Sequence, residues 1–170
     1  MRRVRYQVAS SLDGYIAGPN GEFDWITKDP EIDFAAFYRQ FDTFMMGRRT
    51  YEVAQSMGDR LGGGKILVVS RTLRQADHPG VTIIADNLAE TIAALRAAPG
   101  KDIWLFGEGA LFRSLAEAKL VDTVEIAVIP VLLGEGVPLL PSPAMRIKLT
   151  LTSQKVYKKT GIVSLVYDVA

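Results

Sequence analysis

Three separated stretches of the sequence combine glycine or hydroxyl groups with the means to hold an anion. In Asp102-Ile-Trp-Leu-Phe-Gly-Glu-Gly-Ala-Leu-Phe112, an apolar run breaks at Gly107 and Gly109, then resumes with helical spacing at Leu111, Phe112 and Leu115. A strand that turns through glycines into a helix leaves free backbone N–H groups beyond the sheet, and glycine lets a ligand approach them with no Cβ between. Gly47-Arg48-Arg49-Thr50 follows a second short apolar run, with two guanidinium groups where a helix should begin. Cations there oppose the helix dipole unless an anion lies between them. Val68-Val69-Ser70-Arg71-Thr72 closes a third run with hydroxyl, guanidinium and hydroxyl. Each stretch alone is compatible with a tight turn or a solvated helix start. In a parallel sheet, ligands sit beyond the carboxyl ends of the strands, so a ligand reaching all three is long and carries several phosphates. A dinucleotide fits, and Arg48, Arg49 and Arg71 favour an added 2′-phosphate, hence NADPH over NADH.

The elements that would position these groups follow from periodicity and punctuation. Val4 to Ala9 reads as a first strand, and Leu12 to Gly21, with its Asp-Gly, Gly-Pro and Asn-Gly pairs, as a long loop and not a hairpin. Phe23 and Trp25 follow as either a plug beneath that loop or the wall of a pocket. Asp29-Pro30 is expected to start a helix whose buried stripe is Phe34, Phe37, Tyr38 and Phe41. Glu31 and Asp33 read first as surface acids favouring its dipole. Asp42–Met46, Lys65–Ser70, Val81–Ala85 and Val121–Ile129 are expected strands, and Gly58–Gly64 a flexible loop. Asn87 should cap a helix ending near Ala98, and Pro130 to Pro138 is an apolar loop punctuated by glycine. Arg146–Tyr157 and Ile162–Val169 alternate as a hairpin. The order implies one α/β domain over 1–170, with a mostly parallel central sheet and an antiparallel C-terminal edge.

Composition excludes several classes. A length of 170 residues with 48% hydrophobic content supports a core, and a net charge of +1 draws the chain to neither nucleic acid nor membrane. The absence of cysteine and the single histidine, His78, leave no thiol or histidine cluster for a metal. No apolar run reaches the roughly 18 residues of a span, and Gln7, Ser10, Ser11 and Asp13 interrupt any signal-peptide core, so a cytoplasmic protein is expected.

Met46-Gly47-Arg48-Arg49-Thr50-Tyr51-Glu52 resembles the Met-Gly-Arg-x-Thr-aromatic-Glu motif of dihydrofolate reductases. Leu12-Asp13-Gly14-Tyr15-Ile16-Ala17, Val68 to Arg71 and Phe106 to Leu111 resemble, in the right order, their first loop, adenosine-phosphate strand end and glycine corner. Ser-Leu-Asp-Gly and Ile129-Pro130-Val-Leu-Leu-Gly134-x-Gly136 are more similar to the reductase domain of bacterial riboflavin biosynthesis. The chain opens at the first strand, so no preceding deaminase domain is expected.

The resemblance implies a dihydrofolate reductase-like three-layer domain using NADPH. By it, Ala9 and Ile16 hold the nicotinamide carboxamide through backbone groups, and Gly47, Arg48, Arg49 and Thr50 contact the phosphates. Ser70 and Arg71 take the 2′-phosphate, and Gly107, Glu108, Gly109, Ala110 and Leu111 cradle the diphosphate. Spacing from Gly47 assigns the family's pterin-facing acid to Glu31, with Asp33 close behind and Asp13 as the rival beside the nicotinamide loop. Trp25 and Phe34 would shape the pocket of a small heterocyclic substrate. Three departures stand out: Glu108 in place of a corner glycine, which favours a trans bond there because a cis one costs about 3 kcal/mol; Ala127 where folate enzymes carry threonine; and no basic cluster for a substrate phosphate. The implied activity is hydride transfer to a C=N or conjugated heterocycle, as in 5-amino-6-(5-phosphoribosylamino)uracil reductase or a pteridine reductase; a nucleotide-binding module without turnover and a flavin protein are the rivals. A homodimer through the C-terminal hairpin and Val131–Leu140 is a further expectation.

Overall fold

A computed structural model describes residues 1–56, 63–107, 109–143 and 146–170. Its eight-stranded sheet is built from β1 (Val4–Ser11), β3 (Phe41–Gly47), β4 (Lys65–Val69), β5 (Thr82–Ile84), β6 (Asp102–Phe106), β7 (Thr123–Ile129), β9 (Leu149–Tyr157) and β10 (Ile162–Val169), while β2 (Tyr15–Ala17) and β8 (Val137–Pro138) form a small separate pair. The spatial order is β5-β4-β3-β6-β1-β7-β10-β9. The first six run parallel, β10 returns antiparallel to β7, and β9 is antiparallel to β10. All six parallel strands therefore end on one side of the molecule.

Helices α3 (Leu88–Ala97) and α4 (Gly109–Glu117) supply Ile92, Phe112, Leu115 and Ala116 to a core on one sheet face, with Val4, Tyr6, Val8, Met45, Leu67, Ile103 and Leu105 below them. Tyr6 stacks on Phe112 with ring centroids 4.0 Å apart. Because successive strand residues point to opposite faces, Phe44, Met46, Val68 and Trp104 are left for the other side. There they pack with Phe37 of α1 (Phe34–Tyr38) and Tyr51 of α2 (Arg48–Ser56). Two faces covered by helices explain why β3, β4 and β6 read as continuous apolar runs. None of the described helices is long and apolar enough to cross a membrane.

The structure corrects four expectations. The helix expected from Asp29 starts at Phe34, capped by Asp33, whose side chain accepts from Ala36 N at 2.8 Å. The Asp29 carboxylate is occupied elsewhere: it accepts from Glu31 N at 2.8 Å and from Thr160 Oγ1 at 2.7 Å, tying this segment to the β9–β10 turn. The expected aromatic stripe breaks up accordingly. Phe41 is buried on β3, Phe34 and Tyr38 are exposed, and Phe37 packs from α1 onto the core, edge-on to Trp104 at 5.1 Å. The Leu12–Gly21 and Pro130–Pro138 stretches, both expected as loops, contain β2 and β8, which pair with each other. Short strands whose partner lies about 120 residues away leave no local alternation to read. Finally, Asn87 precedes α3 in the left-handed region, at φ 57°, and its side chain makes no capping bond. The expected Gly58–Gly64 loop lies largely outside the described residues.

Candidate active site

Register brings the three anion-holding stretches together. Gly47 pairs with Val69, and Met46 with Phe106, so Gly47, Ser70 and Gly107 end neighbouring strands at nearly one level. Adjacent strands lie about 4.8 Å apart, so the three corners fall within about 10 Å. The β6 corner and the start of α2 also touch. Gly107 has φ 85°, and a Cβ placed there would collide with Thr50 Oγ1. Glycine is thus required twice, by backbone conformation and by the threonine against its Cα. Both α2 and α4 begin at this edge, and a helix N-terminus is where backbone N–H groups can meet an anion.

At the β4 corner, buried Ser70 accepts from Thr72 N at 3.2 Å and Leu73 N at 3.1 Å, which closes the turn and presents Arg71 to solvent. Arg71 makes no side-chain hydrogen bond or ion pair among the described residues. Arg48 is held by neighbouring side chains. Its Nε donates to Glu52 Oε1 at 2.6 Å and its NH1 to Thr72 Oγ1 at 3.0 Å, so part of its charge is met by the protein and it bridges α2 to the β4 corner. Arg49 is exposed beside it. At the β6 corner, Gly109 is buried against a strap that follows β7: a Cβ there would lie 2.6 Å from Leu139 O, 2.7 Å from Pro141 Cδ and 2.8 Å from Pro138 O. Ala110 is exposed and Leu111 half-buried, while Glu108 and the geometry of its peptide bond lie outside the described residues.

The other half of the edge belongs to β1, β7 and β10. Ala9 pairs with Ala127, which in turn faces Ser164, so no hydroxyl from β7 stands beside Ala9. Ile16, on β2, packs on the larger core. The candidate acids separate cleanly. Asp33 caps α1. Asp13 accepts from Ser11 Oγ at 2.6 Å, Gly134 N at 2.7 Å and Leu133 N at 3.1 Å, and these donors, Ser11 first, hold its carboxyl below the usual carboxylate range. Glu31 is exposed, and its carboxylate makes no hydrogen bond among the described residues. Neither Trp25 nor Phe34 joins a core: Trp25 is half-buried with Nε1 donating to Glu22 O at 3.2 Å, and Phe34 is 41% exposed.

The sequence reading missed the buried Asp29, held below the usual carboxylate range chiefly by Thr160, and the strap over Gly109. Asp-Pro signals a helix start more strongly than a tie to a distant hairpin turn, and nothing in Val137 to Pro141 marks its partner.

Known proteins resemble this chain in sequence and in fold. YyaP of Bacillus subtilis (strain 168), itself uncharacterized, is 34% identical, covering 98% of this chain and 94% of its own. The crystal structure of a putative riboflavin biosynthesis protein from Shewanella sp. PV-4 superposes with a TM-score of 0.84 at 25% identity over 99% of both chains. Dihydrofolate reductase from Enterococcus faecalis, complexed with NADP(H), shares the fold with a TM-score of 0.69 at 16% identity, over 98% of this chain and 96% of that one. The RibD C-terminal domain family matches residues 2–163, and the chain belongs to that family.

Proposed function

We propose that the chain is an NADPH-dependent reductase of a small heterocycle. The observation that carries this reading is the alignment of Gly47, Ser70 and Gly107 on adjacent strand ends, beside an Arg71 that has no ion-pair partner among the described residues. Gly107 fits the role of a cradle, since any side chain there would fill the space that Thr50 and a diphosphate would share. Gly47, Thr50, Gly109, Ala110 and Leu111 offer N–H groups to the diphosphate, with Arg48 and Arg49 alongside. Ser70 shapes the turn that presents Arg71 to a 2′-phosphate. Backbone groups of Ala9 and Ile16 orient the nicotinamide, and Trp25 and Phe34 exclude water from the substrate side. When bound, NADPH supplies the hydride for a C=N or conjugated acceptor. Glu31, the candidate acid with an uncommitted carboxylate, holds or relays the proton.

The substrate end differs in charge from the coenzyme end. Residues 22–33 carry Glu22, Asp24, Asp29, Glu31 and Asp33 against Lys28, with Lys158 and Lys159 on the hairpin turn nearby. This border favours an uncharged ring over a phosphoribosyl substrate. A second copy of the chain is a further proposed partner, docking on β9, where Leu149, Leu151 and Val156 are 40%, 47% and 59% exposed; solution mass tests it.

The direct test is fluorescence titration of NADPH and NADH into wild type and Arg71→Ala. Loss of a charge-assisted contact of about 1.5–3 kcal/mol weakens NADPH roughly ten- to hundredfold and leaves NADH unchanged. Equal NADPH affinities would remove the coenzyme assignment. Screening pteridines and ribosylaminopyrimidines, with and without 5′-phosphate, for NADPH oxidation then identifies the substrate class.

A further inference from the structure

We propose that Asp13 is a positioning residue, whose carboxylate latches the turn after β1 to the strap after β7 and so sets the shape of the coenzyme site. The proposal rests on the coenzyme reading above. The latch begins with Ser11 Oγ, which donates to Asp13 at 2.6 Å while accepting from Tyr15 N at 2.9 Å. Across the gap, Gly134 N and Leu133 N donate to the same carboxylate at 2.7 and 3.1 Å. Surrounding bonds run between the same two segments. Leu12 N donates to Val131 O at 2.8 Å, Leu139 N to Gly14 O at 2.9 Å, and Tyr15 hydroxyl to Gly134 O at 3.3 Å. The β2–β8 pair continues the seam.

The backbone on each side of the latch is built for it. Gly14 has φ 90° and Gly134 φ 77°, in the left-handed region where a side chain would be strained. What the latch connects gives it consequence. One side carries Ile16, the proposed nicotinamide contact. The other runs on through Pro138, Leu139 and Pro141, which back directly onto Gly109 at the opening of α4. One carboxylate thus links the nicotinamide side of the site to the backing of its diphosphate corner. An ionised carboxylate is an acceptor only, and this one has three donors, so it has no proton to give at neutral pH.

Asp13→Ala and Asp13→Asn separate a latch from an acid. In Asp13→Asn, the amide oxygen can still accept from Gly134 and Leu133, while the amide nitrogen donates to Ser11 Oγ, whose hydroxyl turns away. Two readouts are needed: hydrogen exchange at the Leu133 and Gly134 amides of the protein without coenzyme, and NADPH fluorescence titration. Asp13→Ala is expected to lose protection at both amides and bind NADPH about tenfold more weakly, with Asp13→Asn keeping partial protection and staying within about threefold of wild type. Unchanged protection in Asp13→Ala would remove the latch. Lost protection with wild-type NADPH affinity would show that the latch does not position the coenzyme. A wild type that binds no NADPH, yet whose amides lose protection in Asp13→Ala, would overturn the coenzyme reading while leaving the tie between the two segments in place.

Discussion

The two halves of the carboxyl edge are built on different plans. On the β4-β3-β6 side, each strand runs within one or two described residues into a turn or helix, and the neighbouring corners touch through Thr50 at Gly107 and Arg48 at Thr72. On the β1-β7-β10 side, long segments cross the edge and are tied to distant residues by backbone bonds and by carboxylates, Asp13 to Leu133 and Gly134, Asp29 to Thr160. The first plan suits a ligand whose phosphates repeat from enzyme to enzyme. The second lets the walls change while the strands beneath stay put.

The comparison is most sharply broken at Gly107. Gly107→Ala places a side chain at φ 85°, costing about 1–3 kcal/mol from the backbone alone, and adds a collision with Thr50. Thermal unfolding should show the loss and NADPH titration a weakened site. Adding Thr50→Ala should recover the collision's share and leave the conformational share.

On the opposite half, Thr160→Val should change the pH dependence of stability. Asp29 sits below its ordinary value of 3.8 in the folded chain, mainly through Thr160. A depressed folded value means the contribution is complete above the unfolded pKa and fades as pH falls through the folded one. The variant should therefore be less stable at neutral pH and lose less stability on acidification below about pH 4, as read by melting temperature against pH. A parallel shift at every pH would sever Asp29 from the effect.

Phe34→Ala should move stability by no more than about 0.5 kcal/mol, since the ring is 41% exposed, yet raise KM for the heterocycle found by screening. A large stability loss with unaltered KM would return Phe34 to the core. Smallest of all, Glu52→Gln removes an i,i+4 partner from half-exposed Arg48 and should cost about 0.3–0.5 kcal/mol by denaturant titration.

What was legible in the sequence follows the same division. Gly47, Ser70 and Gly107 could be read because strand, turn and helix follow one another along the chain, and local punctuation fixes local geometry. The parallel sheet and its antiparallel hairpin were legible for the same reason. Asp29 was misread as a helix cap because its partner, Thr160, lies at the other end of the chain. Asp13 was identified as a residue of interest but not as a tie, since nothing near it announces Leu133 or Gly134 as donors. The β2–β8 pair failed likewise: three residues and two, each too short to carry a period.

The placement of β1 carries a consequence for how the chain is made. Val4 pairs with Ile103 and Arg5 with Thr123, so β1 has both its neighbours encoded roughly a hundred residues later. Its N–H and C=O groups must wait for partners until those residues are made, and contacts so distant along the chain slow folding. Until β6 and β7 are made, β1 is an unpaired strand that invites association with other chains.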